Sequence, residues 1–289
     1  MNAINRAVTK FFDLVLTPLE AVSDEFALLV VSGVFGVLAL WIFKHISWQK
    51  GIKATKNKIK GHLIEIRLYQ DDLVVVSKSI VKVLARNVQY LALNFGPFIP
   101  LAIPFALVAA QMVVRYGFEP VPVQQVADTR RAGDGVTLSI QGDADAIAGL
   151  ELVLPEGLTQ VSPMPRIPKQ KRASTEFYAV NPGVYDIVIR ANEKEVIKRF
   201  VAGPEEKTVR TMQPERVTGF FSALLWPAED TLDGTGLTNV AFVYPESDLG
   251  WLPFSGPGGV LIIFVLASMI VGFLALKPLG VQILSLIHI

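Results

Sequence analysis

The sequence predicts an α-helical membrane protein with three transmembrane helices and a cytoplasmic helical hairpin, joined to an all-β, sandwich-like extracytoplasmic domain. Of its 289 residues, 51% are hydrophobic and only 18% are charged, whereas soluble domains carry about 25% charged residues. The missing charges are concentrated in three runs rather than spread along the chain. A basic segment separates the first two runs, and a stretch of short alternating strands precedes the third.

The three uncharged runs are long enough to cross a bilayer, which takes about 20 apolar residues in a helix. The predicted transmembrane helices are residues 26–46, 90–116 and 257–277. Each run is closed by a basic residue, and tryptophans lie near the first and third runs, as is typical of membrane interfaces. The preceding residues 1–25 form an amphipathic segment, and the acidic Asp24 and Glu25 before the first run argue against a signal peptide.

The distribution of lysine and arginine predicts the orientation. Residues 44–89 hold ten basic residues against three acidic ones, and basic loops of this length stay on the cytoplasmic side. The N-terminus is therefore expected outside, residues 118–256 outside, and the end of the third helix in the cytoplasm. This predicts a multi-pass protein of the cytoplasmic (inner) membrane, with the lipid bilayer as its first partner.

Hydrophobic residues recur every seven positions in the basic segment, residues 47–89, which is typical of a coiled coil. The repeat is Ile52, Ile59, Ile66, Leu73 and Ile80. Both ends of this segment must lie at the same membrane face, so we expect two antiparallel helices. The best turn is at residues 70–72, where Asp72 would cap the second helix.

The second leg of this hairpin carries a basic stripe. Lys78, Lys82 and Arg86 are four residues apart, which places them on one helix face. The opposite face is predicted to carry Val76, Ile80, Val83 and Leu84. Such a stripe suits anionic lipid headgroups or ribosomal RNA. The alternative is that these charges only fix the topology.

Three prolines fall in the second predicted transmembrane helix, namely Pro97, Pro100 and Pro104. Each removes a backbone donor and disturbs a helix, which a membrane tolerates only where neighbouring helices or water satisfy the freed carbonyls. We therefore expect this helix to be buried in a bundle or to line a cavity. The polar side chains available to line a groove among the three helices are Ser32, Asn94, Gln111 and Ser268.

The extracytoplasmic domain, residues 118–256, shows short strands separated by glycine, proline and aspartate. Hydrophobic residues alternate at 136–140, and two strand-like runs flank Asn192-Glu193, a good hairpin turn. Too few strands are present to close a barrel, which favours a small β-sandwich. Residues 217–225 carry apolar side chains at helical spacing, and we expect this amphipathic helix to cover the sheet or to lie on the membrane.

No residue pattern predicts an enzyme, a metal or another cofactor. The chain has no cysteine, its three histidines lack ligand spacing, and Asp143 and Asp145 have no partner base. Phosphate-binding and dinucleotide-binding fingerprints are absent from the sequence. The net charge of +1 gives no reason to expect DNA as a partner. Residues 282–289 carry neither a stop-transfer nor a capping signal.

This arrangement resembles the YidC superfamily of membrane protein insertases, which includes the insertase subunit of the endoplasmic reticulum membrane complex. The shared pattern is an outside N-terminus with an amphipathic stretch, a first span, a basic cytoplasmic hairpin and a proline-bearing span. Residues 100–107 are similar to the family's Leu-Pro…Pro-Phe-x-Ala-Leu segment, Asn94 lies near its asparagine-proline entry, and residues 11–19 are similar to the helix before the first span. Bacterial members often carry a basic residue in that span, where this chain has Ser32.

The resemblance covers residues 5–117 and, in outline, the third span. It implies a noncatalytic insertase or membrane protein chaperone, with nascent membrane proteins and the ribosome as partners. A polar groove would lower the cost of moving a charge through hydrocarbon, which is about 3 to over 10 kcal/mol. The alternative is a structural or interaction protein of the envelope, whose β domain binds an envelope protein and whose helices are only an anchor.

Overall fold

The computed structural model describes residues 2–124, 135–192, 194–203 and 211–280. The chain divides into two compact units. The β unit comprises Met1–Val30 and Ala106–Val265, and the hairpin unit comprises Val31–Phe105 and Leu266–Ile289. Residues 282–289, which carried no signal in the sequence, lie outside the described residues.

Three helical segments are long and apolar enough to cross a membrane, which indicates a multi-pass membrane protein. The helices of this part are α1 (Asn2–Glu20), α2 (Asp24–Ile46), α3 (Gln49–Leu68), α4 (Leu73–Phe95) and α5 (Phe98–Tyr116), and the last helix of the chain is α8 (Gly256–Leu279). The three candidate spans are α2, the continuous segment Leu73–Tyr116, and α8.

The segment Leu73–Tyr116 is too long to be a span alone. It has 44 residues, or about 66 Å of helix at 1.5 Å per residue, whereas the hydrocarbon core is about 30 Å thick. Gly96 keeps helical backbone angles between α4 and α5, and its N–H donates to the Ala92 carbonyl at 2.8 Å. The helical path therefore continues through the Gly96–Pro97 turn.

The helical hairpin consists of α3 and α4, joined by a turn at residues 69–72. The Asp72 carboxylate accepts hydrogen bonds from the N–H groups of Val74 at 3.0 Å and Val75 at 3.2 Å. This confirms Asp72 as the cap of α4. Because a capped helix starts at a fixed residue, the turn sets which side chains of α4 face α3.

The predicted seven-residue repeat does not continue through the turn. On α3, Ile52 is buried and Ile59 and Ile66 are half-buried, whereas Leu73 and Ile80 on α4 are 78% and 45% exposed. The prediction is therefore wrong for α4. The four-residue turn changes the helical phase, so a periodicity that holds within α3 does not describe the helix that packs against it.

Glycines bring α2 and α8 into close contact in the hairpin unit. A Cβ atom on Gly36 would lie 2.1 Å from the Ser268 carbonyl oxygen, and one on Gly33 would lie 3.3 Å from Cγ2 of Val271. Small residues of this kind allow helix backbones to approach one another in a membrane. This contact fixes the two spans side by side.

The end of α2, the start of α5 and the end of α8 meet in the hairpin unit. The rings of Phe43 and Phe98 have their centroids 5.6 Å apart, and Phe43 shares a hydrophobic cluster with Leu101. The Lys44 ammonium donates to the Leu279 carbonyl at 2.8 Å. We call this group of contacts the hairpin end of the spans.

The opposite termini of the same helices meet in the β unit. The Ser247 N–H donates to the Gly117 carbonyl at 3.2 Å, and a Cβ atom on Gly117 would lie 3.0 Å from Cα of Pro257. A Cβ atom on Gly250 would lie 2.6 Å from Oε1 of Glu25. The start of α2, the end of α5 and the start of α8 thus form what we call the β end of the spans.

Two antiparallel sheets form the rest of the β unit. The strands are β1 (Val136–Gly142), β2 (Glu151–Val153), β3 (Leu158–Gln160), β4 (Arg166–Ile167), β5 (Arg172–Ala179), β6 (Gly183–Ala191), β7 (Lys194–Ala202), β8 (Glu215–Val217) and β9 (Leu237–Ala241). The larger sheet has the order β3-β5-β1-β9-β8, with β4 paired to β5, and the smaller has the order β2-β6-β7. A short helix, α6 (Ala144–Ala148), follows β1.

The strand predictions are confirmed where alternation is clearest. β1 buries Leu138 and Ile140, and β6 pairs with β7 from Gly183↔Ala202 to Ala191↔Lys194. Asn192 takes a positive φ of 49° in the connecting turn, as two-residue hairpins require, while Glu193 lies outside the described residues. The rings of Phe177 and Phe200, one from each sheet, pack edge to face with centroids 5.0 Å apart.

The helix predicted over residues 217–225 is shorter than expected. It is α7 (Phe220–Leu225), and Val217 belongs to β8. Gly219 has φ 91°, a left-handed conformation that ends the strand and prevents the helix from starting earlier. Leu224 is buried, but Phe220 and Phe221 are exposed, so only part of the predicted apolar face packs against the rest of the β unit.

Candidate functional site

The four predicted groove side chains fall in different surroundings. Ser32 is fully buried in α2, and Ser268 lies at the glycine contact with Gly36. Asn94 is buried and donates to the Tyr90 carbonyl of its own helix at 2.7 Å. These three belong to the hairpin unit, whereas Gln111 belongs to the β unit. The hydrogen bonds of Asn94 and Gln111 are separate, so those bonds do not unite the two residues in one polar site.

Gln111 is instead part of a polar contact between α5 and α1. Its side-chain amide donates to the Thr9 hydroxyl at 2.9 Å. One turn further along α5, the Arg115 guanidinium donates to the Asp13 carboxylate at 2.6 Å and to the Thr9 carbonyl at 3.2 Å. The Arg115 side chain is fully buried, whereas that of Asp13 is 44% exposed. We call these four residues the α1–α5 polar contact.

This contact was not predicted from the sequence, although a signal exists. Thr9 and Asp13 are four residues apart on α1, and Gln111 and Arg115 are four residues apart on α5. Equal spacing puts each pair on one helix face, and the pairs match when the helices lie side by side. Three atoms in the contact remain buried without a hydrogen-bond partner among the described residues: Gln111 Oε1, Arg115 Nε and Arg115 Nη1.

The three prolines are placed at different points of the second span. Pro97 lies in the turn between α4 and α5, and Pro100 lies in the first turn of α5, where no intrahelical donor is required. Pro104 is inside the helix. Two of the prolines therefore mark where α5 starts, and one removes a hydrogen bond from its interior.

A continuous apolar stripe runs along the outward side of α4. Its members recur at three, four or seven residues, which places them on one helix face. They are exposed by 45–78%: Leu73, Ile80, Leu84, Val88, Leu91 and Phe95. We call this row the α4 stripe. Exposed apolar rows of this length are uncommon on soluble surfaces and indicate a binding partner or lipid.

The basic residues of α4 lie on a different side of the helix from this stripe, because positions two residues apart, such as Lys78 and Ile80, are about 200° apart around a helix of 3.6 residues per turn. Lys78 and Lys82 are exposed, and Ile80 and Leu84 between and after them are exposed as well. Arg86 is half-buried and donates to the Gln89 side chain at 2.7 Å. The apolar side that carries Ile80 and Leu84 is thus exposed rather than packed, and the buried side of α4 carries Ser79, whose hydroxyl donates to Glu65 of α3 at 2.9 Å.

The α4 stripe precedes the point where the spans pack together. α5 starts at Phe98, whose ring packs against that of Phe43. Phe43 is followed directly by Lys44, the first charged residue after the apolar part of α2. All six stripe residues come before Phe98 on a helical path that continues through Gly96. Leu73, Ile80 and Leu84 precede Arg86, the last charged residue before the second uncharged run, whereas Val88, Leu91 and Phe95 lie at the start of that run.

The hairpin beneath the stripe is held by charged and polar contacts. Glu65 accepts hydrogen bonds from Ser79 and from Nδ1 of His62, the latter at 3.0 Å. These bonds favour the carboxylate and lower the pKa of Glu65 below its ordinary value of 4.5, with the His62 contact as the largest cause. The Glu65 carboxylate therefore links α3 to α4 within the hairpin.

Comparisons with known proteins give no match, whether with family models, curated proteins or solved structures. The described residues also contain no group of three or more histidine, aspartate or glutamate side chains able to hold a metal ion. The site is accordingly defined by its own geometry: an exposed apolar stripe on α4, with exposed lysines on a different side of the same helix.

Proposed function

We propose that the protein is a noncatalytic membrane protein chaperone of the insertase type, which receives apolar client segments on the α4 stripe and passes them to the membrane along α5. The observation that carries this proposal is the exposed stripe itself, since a helix outside a membrane normally turns such residues inward. The resemblance to the YidC superfamily in residues 5–117 supports the same function.

The path onward from the stripe is also apolar and exposed. On α5, Phe98, Ile99 and Ile103 are 55%, 77% and 60% exposed, and they follow the stripe along a nearly continuous helix. An apolar segment that moves from α4 to α5 exchanges one apolar contact for another. Because burial of apolar area contributes about 25 cal/mol per Å², such a path keeps a client shielded from water until lipid surrounds it.

Charge has a separate role in this proposal. Lys78 and Lys82 lie on a different side of α4 from the stripe, where they attract the acidic flanks of a client or anionic headgroups at the same membrane face. Asn94 ends the stripe region as a buried amide that already has a partner in its own helix. The mechanism therefore rests on apolar capture, and the polar groove predicted from sequence is a secondary feature of it.

The proposed topology places the hairpin in the cytoplasm and the two β-sheets, a small sandwich, outside. Ten basic residues in segment 44–89 support this orientation. Single cysteines at Ile64 and Thr137 test it, because both side chains are exposed and the chain has no other cysteine. In intact cells a membrane-impermeant maleimide is expected to label Thr137→Cys only, and labelling of Ile64→Cys alone would reverse the topology.

Photo-crosslinking to a nascent chain tests the function. A photoreactive residue replaces Leu84 or Val88 in the full-length protein, and ribosome-bound nascent chains carrying one apolar segment are supplied. Lys58, an exposed residue of α3, is the matched control position. We expect adducts at Leu84 and Val88, few at Lys58, and their loss when the client segment is made polar.

Absence of adducts at Leu84 and Val88, or equal yields at Lys58, would contradict client capture by the stripe. Adducts that persist with a polar client segment would also contradict it, because they would report proximity to the ribosome rather than apolar binding. Either result would favour an envelope interaction protein whose helices are only an anchor.

A further inference from the structure

A second exposed apolar surface lies in the β unit, on α1 and α7. On α1 the exposed side chains are Ile4, Phe11, Leu14 and Val15, and on α7 they are Phe220, Phe221 and Leu225. Their exposed fractions range from 39% to 78%. None of these residues contributes to the α4 stripe, and the proposed client path does not use them.

α1 carries apolar side chains on both of its sides. Its buried side holds Asn5, Phe12 and Leu16, and Thr9 and Asp13 bond to α5. Phe11 and Leu14 on the other side are 60% and 77% exposed. A helix in water packs its apolar side against the core. The second, exposed apolar side of α1 is favourable only where the outer surroundings are apolar.

The position of α1 identifies those surroundings. The helix is held to the last turns of α5 by Gln111 and Arg115, and its Glu20 carboxylate accepts a hydrogen bond from the Tyr116 hydroxyl at 3.0 Å. α1 ends only four residues before α2 begins at Asp24. It is therefore attached to two candidate spans at their β end, the level at which a membrane changes from hydrocarbon to headgroups.

The short helix α7 is attached to α1 rather than to the sheets alone. The Asn5 side chain donates to the Ala223 carbonyl at 2.7 Å. Two further contacts fix the adjoining loop, an ion pair of Arg6 with Asp230 at 3.6 Å and a hydrogen bond from the Thr231 N–H to Asn2 at 3.2 Å. The exposed phenylalanines of α7 thus lie next to a helix that is itself bound to the spans.

From these contacts we infer that α1 and α7 together form a lipid-binding foot, which inserts its apolar side chains into the leaflet at the β end of the spans. The partner is the boundary between acyl chains and headgroups, where amphipathic helices bind with their apolar side down. This foot holds the β-sheets against the bilayer. The inference is independent of client capture and stands if the α4 stripe binds nothing.

Fluorescence quenching in vesicles tests this inference with the full-length protein. The chain has no cysteine, so Leu14→Cys, Phe221→Cys and Leu225→Cys each present one thiol for a bimane label. Ile197→Cys on β7 is the matched control, because Ile197 is apolar and 50% exposed but lies on the smaller sheet. The vesicles are phosphatidylcholine with a fraction of lipid carrying a nitroxide near the top of the acyl chain, and iodide is the aqueous quencher.

We expect the labels at 14, 221 and 225 to be quenched severalfold more strongly by the nitroxide lipid than the label at 197, with the reverse order for iodide. The inference is overturned if the labels at 221 and 225 are quenched by the nitroxide lipid and by iodide to the same extent as the label at 197. It is also overturned if they are protected from both quenchers, since another protein surface would then cover them.

Discussion

Two helices, α1 and α4, expose apolar stripes of similar composition but join the second span in different ways. α1 is attached to α5 through side chains, with the buried Arg115 paired to Asp13, whereas α4 continues into α5 along the backbone through Gly96. On α1 the polar residues are used for this attachment, which leaves its exposed apolar side for lipid. On α4 the buried Ser79 bonds to α3, which leaves the α4 stripe exposed for the proposed client. The contacts that hold each helix therefore indicate what its exposed stripe binds.

The largest expected effect concerns the ion pair that attaches α1 to α5. Asp13→Ala leaves the fully buried Arg115 guanidinium without its carboxylate partner. Removal of one member of a buried ion pair costs about 3–5 kcal/mol, and we expect about 3 kcal/mol because the Asp13 side chain is partly exposed. Thermal unfolding of the protein in detergent measures this loss of stability.

The control for this variant is Asp230→Ala, which removes an exposed ion pair with Arg6 at 3.6 Å and is expected to cost less than about 1 kcal/mol. Equal effects of the two variants would show that Arg115 does not depend on Asp13. The attachment of α1 would then lie elsewhere, and the contrast with α4 would lose its physical basis.

The next effect separates binding from stability on the α4 stripe. Leu84→Ser removes an apolar side chain that is 61% exposed, so we expect its unfolding free energy to change by less than about 0.5 kcal/mol. Client crosslinking should fall about tenfold, because loss of a partly covered leucine costs about 1.5 kcal/mol of contact.

Leu68→Ser is the matched variant, since Leu68 is 69% exposed on α3 and lies outside the stripe. We expect it to leave crosslinking unchanged. A similar decrease in both variants would mean that general hydrophobicity of the hairpin, rather than the α4 stripe, captures the client.

Local sequence signals predict where the helices and strands lie better than they predict which sides of α1 and α4 are exposed. The three spans, the hairpin turn and the Asp72 cap follow from local signals, as do β1 and the β6–β7 hairpin. The outward side of α4 was not predicted, because a seven-residue repeat specifies a face only within one helix and the turn at residues 69–72 changes the phase. Leu73 and Ile80 therefore lie outside although the repeat placed them inside.

The α1–α5 polar contact was missed for a different reason. Arg115 was interpreted as the closing charge of a span, and nothing local to residues 111–115 indicates that another helix covers it. Its partner Asp13 is separated from it by 102 positions along the chain. Long-range pairing of this kind depends on tertiary packing, which spacing alone does not reveal. Val217 shows the same limit, since helical spacing included it in α7 although Gly219 places it in β8.

A smaller effect is expected from the contact between α3 and α4. Ser79→Ala removes the buried hydroxyl that donates to Glu65 at 2.9 Å, which we expect to cost about 1 kcal/mol. Ser77→Ala is the control, because Ser77 is exposed and its hydroxyl bonds only to the Leu73 carbonyl of the same helix. Hydrogen exchange of the hairpin amides measures both, and faster exchange in Ser77→Ala would contradict this assignment.

The smallest expected effect is a pH dependence of the same contact. The pKa of Glu65 is lowered by its bonds to His62 and Ser79, so the unfolded hairpin takes up a proton at a higher pH than the folded one. The stabilisation is present above the ordinary value of 4.5 and is lost as the pH falls through the lowered pKa. The protection factors of the hairpin amides, which compare the observed exchange with the intrinsic rate at each pH, should fall at acidic pH in the wild type and lose this dependence in Glu65→Gln.

The central claim is that α4 and α1 expose their apolar stripes to different surroundings, and one measurement compares them directly. Bimane is attached to Leu84→Cys and, separately, to Leu14→Cys, and each full-length protein is placed in vesicles with the nitroxide lipid or with iodide. We predict that iodide quenches the label at 84 and the nitroxide lipid quenches the label at 14. If the nitroxide lipid quenches both labels equally, α4 lies in the membrane and the proposed client surface does not exist.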